Sequence, residues 1–108
     1  MNNKILTLLG FASKAGRLSY GMDACVAALK QKKSHIILTA DNLSSKSLKE
    51  ISYNANLFNI KVIILGWNIE TLSHAIGHKC GIISVNEKGF ADAVLNQLHL
   101  MEEIAHDD

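Results

Sequence analysis

Lys14-Ala15-Gly16-Arg17-Leu18-Ser19-Tyr20-Gly21 gathers two cations, an aromatic ring and two glycines into one short stretch. The chemistry open to such a cluster is anion binding. Backbone N–H groups at a helix start are unpaired and favour anions. Gly21, opening a helix, lets a phosphate or a base edge approach the backbone. Lys14 and Arg17, expected one turn away, neutralise phosphates, and Tyr20 offers a flat face to a base. The polyanion that suits all of these is RNA; the plain alternative is a capped helix flanked by solvated charges. Leu72-Ser73-His74-Ala75-Ile76-Gly77 has a similar character, an apolar helix that ends in a glycine turn just before a strand.

Bond-making chemistry finds little support. The sequence has no Gly-x-x-x-x-Gly-Lys-Ser/Thr loop, no Gly-x-Gly-x-x-Gly turn and no Gly-x-Ser-x-Gly elbow. His74 and His78 are four apart, with Cys80 two further on. On one unbroken helix the histidines could share a metal, but Gly77 interrupts them and a zinc site needs further ligands. They read as surface histidines beside a turn, and no metal or cofactor is expected. Cys25 falls on the apolar face of the second helix and reads as a small buried hydrophobe. Cys80 lies in a turn, open to oxidation, with no base and orienting group to make it a nucleophile. No residue is therefore assigned a catalytic role. Lys32 and Lys33 are about 15 Å along the helix from Gly21. They complement the helix dipole and would meet RNA only if the bound RNA were long.

A chain of 108 residues, 48% hydrophobic and 19% charged, suits one globular domain. Its net charge of +1 hides an asymmetry: residues 1–50 hold eight Lys/Arg against three acids, and the remainder three lysines against seven acids. Such a bias between halves suits a polyanion partner. No apolar run is long enough to span a bilayer. Asn2, Asn3 and Lys4 lead directly into an amphipathic pattern with no cleavage site, so the expected location is the cytoplasm. Two cysteines are too few for a disulfide framework.

The elements that must position these residues follow from periodicity. Ile5, Leu8, Leu9 and Ala12 recur at helical spacing and predict a helix over residues 3–15, closed by Gly16. Leu18-Ser19-Tyr20 reads as a short edge strand. Met22, Cys25, Val26 and Leu29 form a second helical stripe that closes in Lys30-Gln31-Lys32-Lys33. Residues 35–39, 61–65 and 81–85 are compact apolar runs and read as buried strands. A helix over 44–56 lies between the first two of these, with Ser44, Ser45 or Ser47 as its cap. Asn68 caps a short helix with Leu72, Ala75 and Ile76 facing inward. Phe90, Val94, Leu95 and Leu98 mark the last helix. The acidic residues 102–108 are expected to fray, leaving a single domain over 1–101. Strict alternation of helices with apolar strands predicts an α/β fold, a three-layer α-β-α sandwich around a sheet of about four strands.

At these residues the chain resembles the small RNA-binding ribosomal proteins of the L-seven-Ae / L-thirty-e / Gadd-like family, above all its bacterial YlxQ-type members. The markers run from Leu8-Leu9-Gly10 and Lys14-Ala15-Gly16-Arg17-Leu18 through Gly21 and His35-Ile36-Ile37-Leu38-Thr39-Ala40-Asp41. They continue with Leu72 to Gly77 and Lys88-Gly89-Phe90-Ala91. No single marker is specific; their order and spacing are. The resemblance implies a non-catalytic protein that recognises kink-turn RNA, a sharply bent helix–bulge–helix element with sheared G·A pairs. It implies that Gly21, Met22, Asp23, Ala24 and Ala27 enter the groove at those pairs. It further implies that Gly77, His78, Lys79, Cys80 and Gly81 cover unpaired bases. From their charge, Lys14, Arg17 and Lys79 are expected to hold phosphates. Strong kink-turn binders of the family carry Gly-x-Asn-Glu-x-x-Lys at the helix start; here Asp23, Ala24 and Ala27 stand at the Asn, Glu and Lys positions. The expected partner is ribosomal or other kink-turn RNA, bound by a monomer without a membrane. The rival readings are a protein-interaction module on the same fold and an enzyme using His78 or Cys80.

Overall fold

The computed structural model describes residues 4–106. Helices α1 (Lys4–Lys14), α2 (Gly21–Lys30), α3 (Ser45–Leu57), α4 (Ile69–Ile76) and α5 (Lys88–His106) alternate with strands β1 (Leu18–Tyr20), β2 (Ile36–Thr39), β3 (Val62–Ile64) and β4 (Ile82–Val85). The strands form one mixed sheet in the order β1-β4-β2-β3, with only β2 and β3 parallel.

Side chains alternate across the sheet, as the pleat requires. Leu18, Ile36, Leu38, Leu65, Ile83 and Val85 pack with α1, α4 and α5 into one core. Ile37 and Ile82 face the other way, against Cys25 and Leu29 of α2 and Ile51 and Ala55 of α3. Two cores on opposite faces of one sheet make the expected three-layer α-β-α sandwich.

Local chemistry fixes the helix ends. Ser44, of the three candidate serines, caps α3 by accepting a bond from Ser47 N–H at 3.2 Å, and Asn68 caps α4 by accepting from Thr71 N–H at 2.8 Å. Helix α1 ends in a Schellman turn, in which Gly16 N–H bonds the Ser13 carbonyl and Arg17 N–H that of Ala12. Helices α2 and α3 end the same way, but with Lys32 (φ 58°) and Asn59 (φ 57°) in the left-handed position. The sequence offers no glycine at either place.

One expectation changes. Residues 61–65 are not a fully buried strand: β3 is a sheet edge, and Ile64 is 55% exposed. An apolar triplet reads the same at an edge as at the centre, so only the strand order separates the two. Helix α5 extends to His106, and Asp107 and Asp108 of the acidic tail lie outside the described residues. Among the described residues no helix is long and apolar enough to cross a membrane.

One buried polar atom is unsatisfied among the described residues, the hydroxyl of Thr39, on a fully buried side chain beside the α2/α3 core. A buried donor without a partner costs about 1–3 kcal/mol, and valine keeps the shape without the hydroxyl. Thr39→Val is therefore expected to raise stability by about 1 kcal/mol, measured by urea unfolding. An unchanged or lower midpoint would show that the hydroxyl is satisfied in solution.

Candidate nucleic-acid interface

Strand register brings the two suspected loops together. In the antiparallel β1–β4 pair, Tyr20 lies opposite Ile83. One step beyond that pair, the chain leaves β1 at Gly21 to start α2 and enters β4 from Cys80 and Gly81. The start of α2 and the α4–β4 turn are therefore neighbours, although 60 residues of sequence separate Gly21 from Gly81. The same end of the sheet holds Ala40, whose N–H bonds the Gly81 carbonyl at 3.0 Å. It also holds Asn42, whose side chain accepts from Ile69 N–H at 2.8 Å.

The start of α2 is open. Its N-cap, Tyr20, makes no side-chain cap bond, and Gly21 has φ 85°, a conformation glycine adopts freely. A Cβ at Gly21 would meet nothing within 4 Å, so the backbone faces empty space. Asp23, Ala24 and Ala27 are exposed on this helix, whereas Met22 is half-buried against the α2/α3 core.

Three side chains, Tyr20, Ser13 and Ser73, hold the opposing turn. Gly77 ends α4 at φ 76°, turning the chain so that His78 leaves the helix and does not share a face with His74. The His78 ring stacks on Tyr20, centroids 3.8 Å apart and planes 12° apart. Ser13 donates to the Ile76 carbonyl at 2.6 Å, which leaves its oxygen to accept from the Tyr20 hydroxyl, also at 2.6 Å. Ser73 both accepts from Cys80 N–H (3.0 Å) and donates to the Cys80 carbonyl (3.2 Å). The face of Tyr20 expected to be free for a base is thus covered by His78, which is itself exposed. Gly81 has a packing role: a Cβ there would come within 3.0 Å of Ile69 and 3.1 Å of Leu43.

Charge is arranged differently from the expectation. Lys14 ends α1 and Lys79 lies in the turn, both exposed. Arg17 is not one helical turn from Gly21. It precedes β1, at the opposite end of that strand, about 13 Å away at strand spacing. There its guanidinium pairs with Glu87 at 3.3 Å, both side chains about half exposed. Cys25 is fully buried as expected, and burial pushes its thiol up to about 12, the nearby Cys80 adding to the shift. Cys80 is half-buried rather than free in the turn; burial raises its pKa, against hydrogen bonds from the backbone of Ile82 and Gly21. Both thiols stay protonated at neutral pH, which suits packing rather than nucleophilic attack. Among the described residues no three potential ligands converge on a metal position.

Ser13, Ser73 and Glu87 escape a sequence reading. A serine carries no signal for a partner 63 residues away, the separation of Ser13 from Ile76. The Arg17–Glu87 pair arises because Leu18 faces Val85 across the sheet.

The sequence pattern of the ribosomal protein L7Ae/L30e/S12e/Gadd45 family matches residues 3–95. The RNA-binding protein YlxQ of Enterococcus faecium is 24% identical over 88 residues, covering 82% of this chain and 84% of its own. Large ribosomal subunit protein eL30 of Saccharomyces cerevisiae is 30% identical over 86 residues, covering 78% and 82%. Among solved structures, a protein of unknown function from Bacillus halodurans C superposes with TM-score 0.82 at 26% identity, covering 88% of this chain and 96% of that one. The Giardia lamblia 15.5kD RNA binding protein shares the fold at TM-score 0.73 and 11% identity, covering 95% and 92%.

The Cys25 thiol makes stability depend on pH in the alkaline range. Above about pH 9 the unfolded chain releases this proton, while the folded protein holds it to about 12. Stability should fall as pH rises through that window, with a limiting slope of about 1.4 kcal/mol per pH unit for the one thiol. Urea unfolding at pH 8 and pH 10 should show a larger loss for the natural protein than for Cys25→Ala. Equal losses would place the thiol in contact with water.

Proposed function

The chain belongs to the ribosomal protein L7Ae/L30e/S12e/Gadd45 family, and we propose that it is a non-catalytic, ribosome-associated RNA-binding protein that grips a kink-turn-like element. The observation that carries the reading is the uncapped start of α2 lying beside the braced α4–β4 turn. Backbone N–H groups and the exposed Asp23 would meet base edges there, the ionised carboxylate acting only as an acceptor. His78, Lys79 and the half-buried Cys80 would cover unpaired bases. Lys14 and Lys79 would hold phosphates. Arg17, at the far end of β1 and tied to Glu87, would reach only RNA that extends beyond the kink.

Two phosphate contacts imply a log K against log salt slope of roughly −1.4 to −1.8. Titrating a minimal kink-turn RNA at several salt concentrations should give that slope, and Lys79→Ala should weaken binding several-fold. Lys32→Gln with Lys33→Gln should leave this short RNA unaffected. No binding at low salt would reject the reading in favour of a protein-interaction module on the same fold.

The helix start offers a second test. Asp23→Asn, Ala24→Glu and Ala27→Lys restore the groups that strong kink-turn binders carry, at three exposed positions where folding should be preserved. One good base contact is worth about 1–3 kcal/mol of discrimination, so preference for a kink-turn over a straight duplex should rise about tenfold. An unchanged preference in a variant with native circular dichroism would mean that α2 does not face the RNA.

A further inference from the structure

The opposite pole of the sheet carries a second surface with a different composition. Here α2 returns to β2 through Lys32 and Lys33, and α3 returns to β3 through Asn59 and Lys61. The pairing of β2 with β3 places these connections side by side, with Ile37 N–H on the Lys61 carbonyl at 3.0 Å. Lys30, Lys32, Lys33, His35 and Lys61 are all exposed. None of the four lysines has an ion-pair partner among the described residues. Arg17, at the same pole, is already held by Glu87. Between the ends of α2 and α3 lies a groove of about 420 Å³ whose lining includes Leu29, Lys32, Leu57, Phe58, Asn59 and Ile60.

One further observation gives this groove a direction and a ligand chemistry. Lys49, Tyr53 and Leu57 recur every four residues along α3 and so share one face. Tyr53 is 66% exposed and Leu57 58% exposed, and that face leads into the groove. An exposed aromatic followed by an apolar rim and flanked by lysines combines base stacking with phosphate neutralisation. Glu50, beside Lys49, is the acidic group on this stretch, two turns back from the groove.

We propose that this pole is a second RNA-binding surface, which takes a single strand with a base stacked on Tyr53 and its phosphates on Lys32, Lys33 and Lys61. It lies at the other end of α2 from the kink-turn site, about 15 Å away, so one RNA can occupy both. The proposal rests on the RNA reading above only for the identity of the polyanion, and its chemistry differs, being strand-tolerant stacking with backbone contacts.

The test compares three probes: a minimal kink-turn RNA, the same RNA with a single-stranded extension long enough to cross the α2/α3 face, and the single strand alone. The extended RNA should bind about tenfold more tightly than the minimal one. Lys32→Gln, Lys33→Gln and Lys61→Gln together should abolish that gain and flatten the salt slope by about 2, at about 0.7 per single-strand phosphate. Tyr53→Ala should remove several-fold of the gain without altering the slope, and Tyr53→Phe should restore it, a pattern that loss of charge would not produce. Equal affinity for the extended and minimal RNAs, or a gain that survives the triple lysine change, overturns the proposal. Lysine-dependent binding of the single strand without binding of the minimal RNA sustains this surface and rejects the kink-turn site. Binding of the minimal RNA alone does the reverse.

Discussion

The antiparallel pairing of β1 with β4 is the constraint on which the rest of the molecule depends. With Tyr20 opposite Ile83, the residue that starts α2 and the residues that lead into β4 have to lie at the same edge of the sheet. Shifting that register by one residue would turn Leu18 and Tyr20 away from the α1/α4/α5 core, together with the ring that supports His78. Register is therefore held by burial on one face and by hydrogen bonds on the other. Ser84 donates to the Asn86 side chain at 2.6 Å, and Asn86 donates to Ser19 at 2.8 Å.

Around that frame the α4–β4 turn is fixed before any ligand arrives. Ser73 holds Cys80 from the helix side, Ser13 holds Ile76 and Tyr20 from α1, and Tyr20 supports His78. A loop held this way loses little conformational entropy on binding. It also departs little from its free geometry, which suits a pre-formed binding surface. The close approach of α1 and α4 belongs to the same design: a Cβ on Gly10 would stand 3.1 Å from the Ala75 carbonyl, so α1 can bring Ser13 up to the end of α4.

The two ends of the sheet differ chemically because helix direction separates them. Helices α2 and α3 both start at the end that holds the α4–β4 turn and finish at the other, so one end presents helix N–H groups and the opposite end helix carbonyls. Lysines at the far end complement those carbonyls. The near end presents the helix N–H groups, and the far end is rich in cations.

Much of this architecture was legible in the chain. Helical spacing of Ile5, Leu9 and Ala12, the apolar triplets of the strands, and caps such as Asn68 are local signals, because helix and strand formation depend on neighbours in sequence. The resemblance carried by ordered short motifs pointed to the family for the same reason. Tertiary structure alone decided three things. It made β3 an edge, since pairing partners are not written in a strand's own residues. It moved Arg17 to the far end of β1 and gave it Glu87, since a cation four residues from a glycine lies near it on a helix but about 13 Å away on a strand. It joined Ser13 to Tyr20 and Ile76, and Tyr20 to His78, because a contact between residues distant in sequence exists only once the sheet register has set where each chain segment leaves the core.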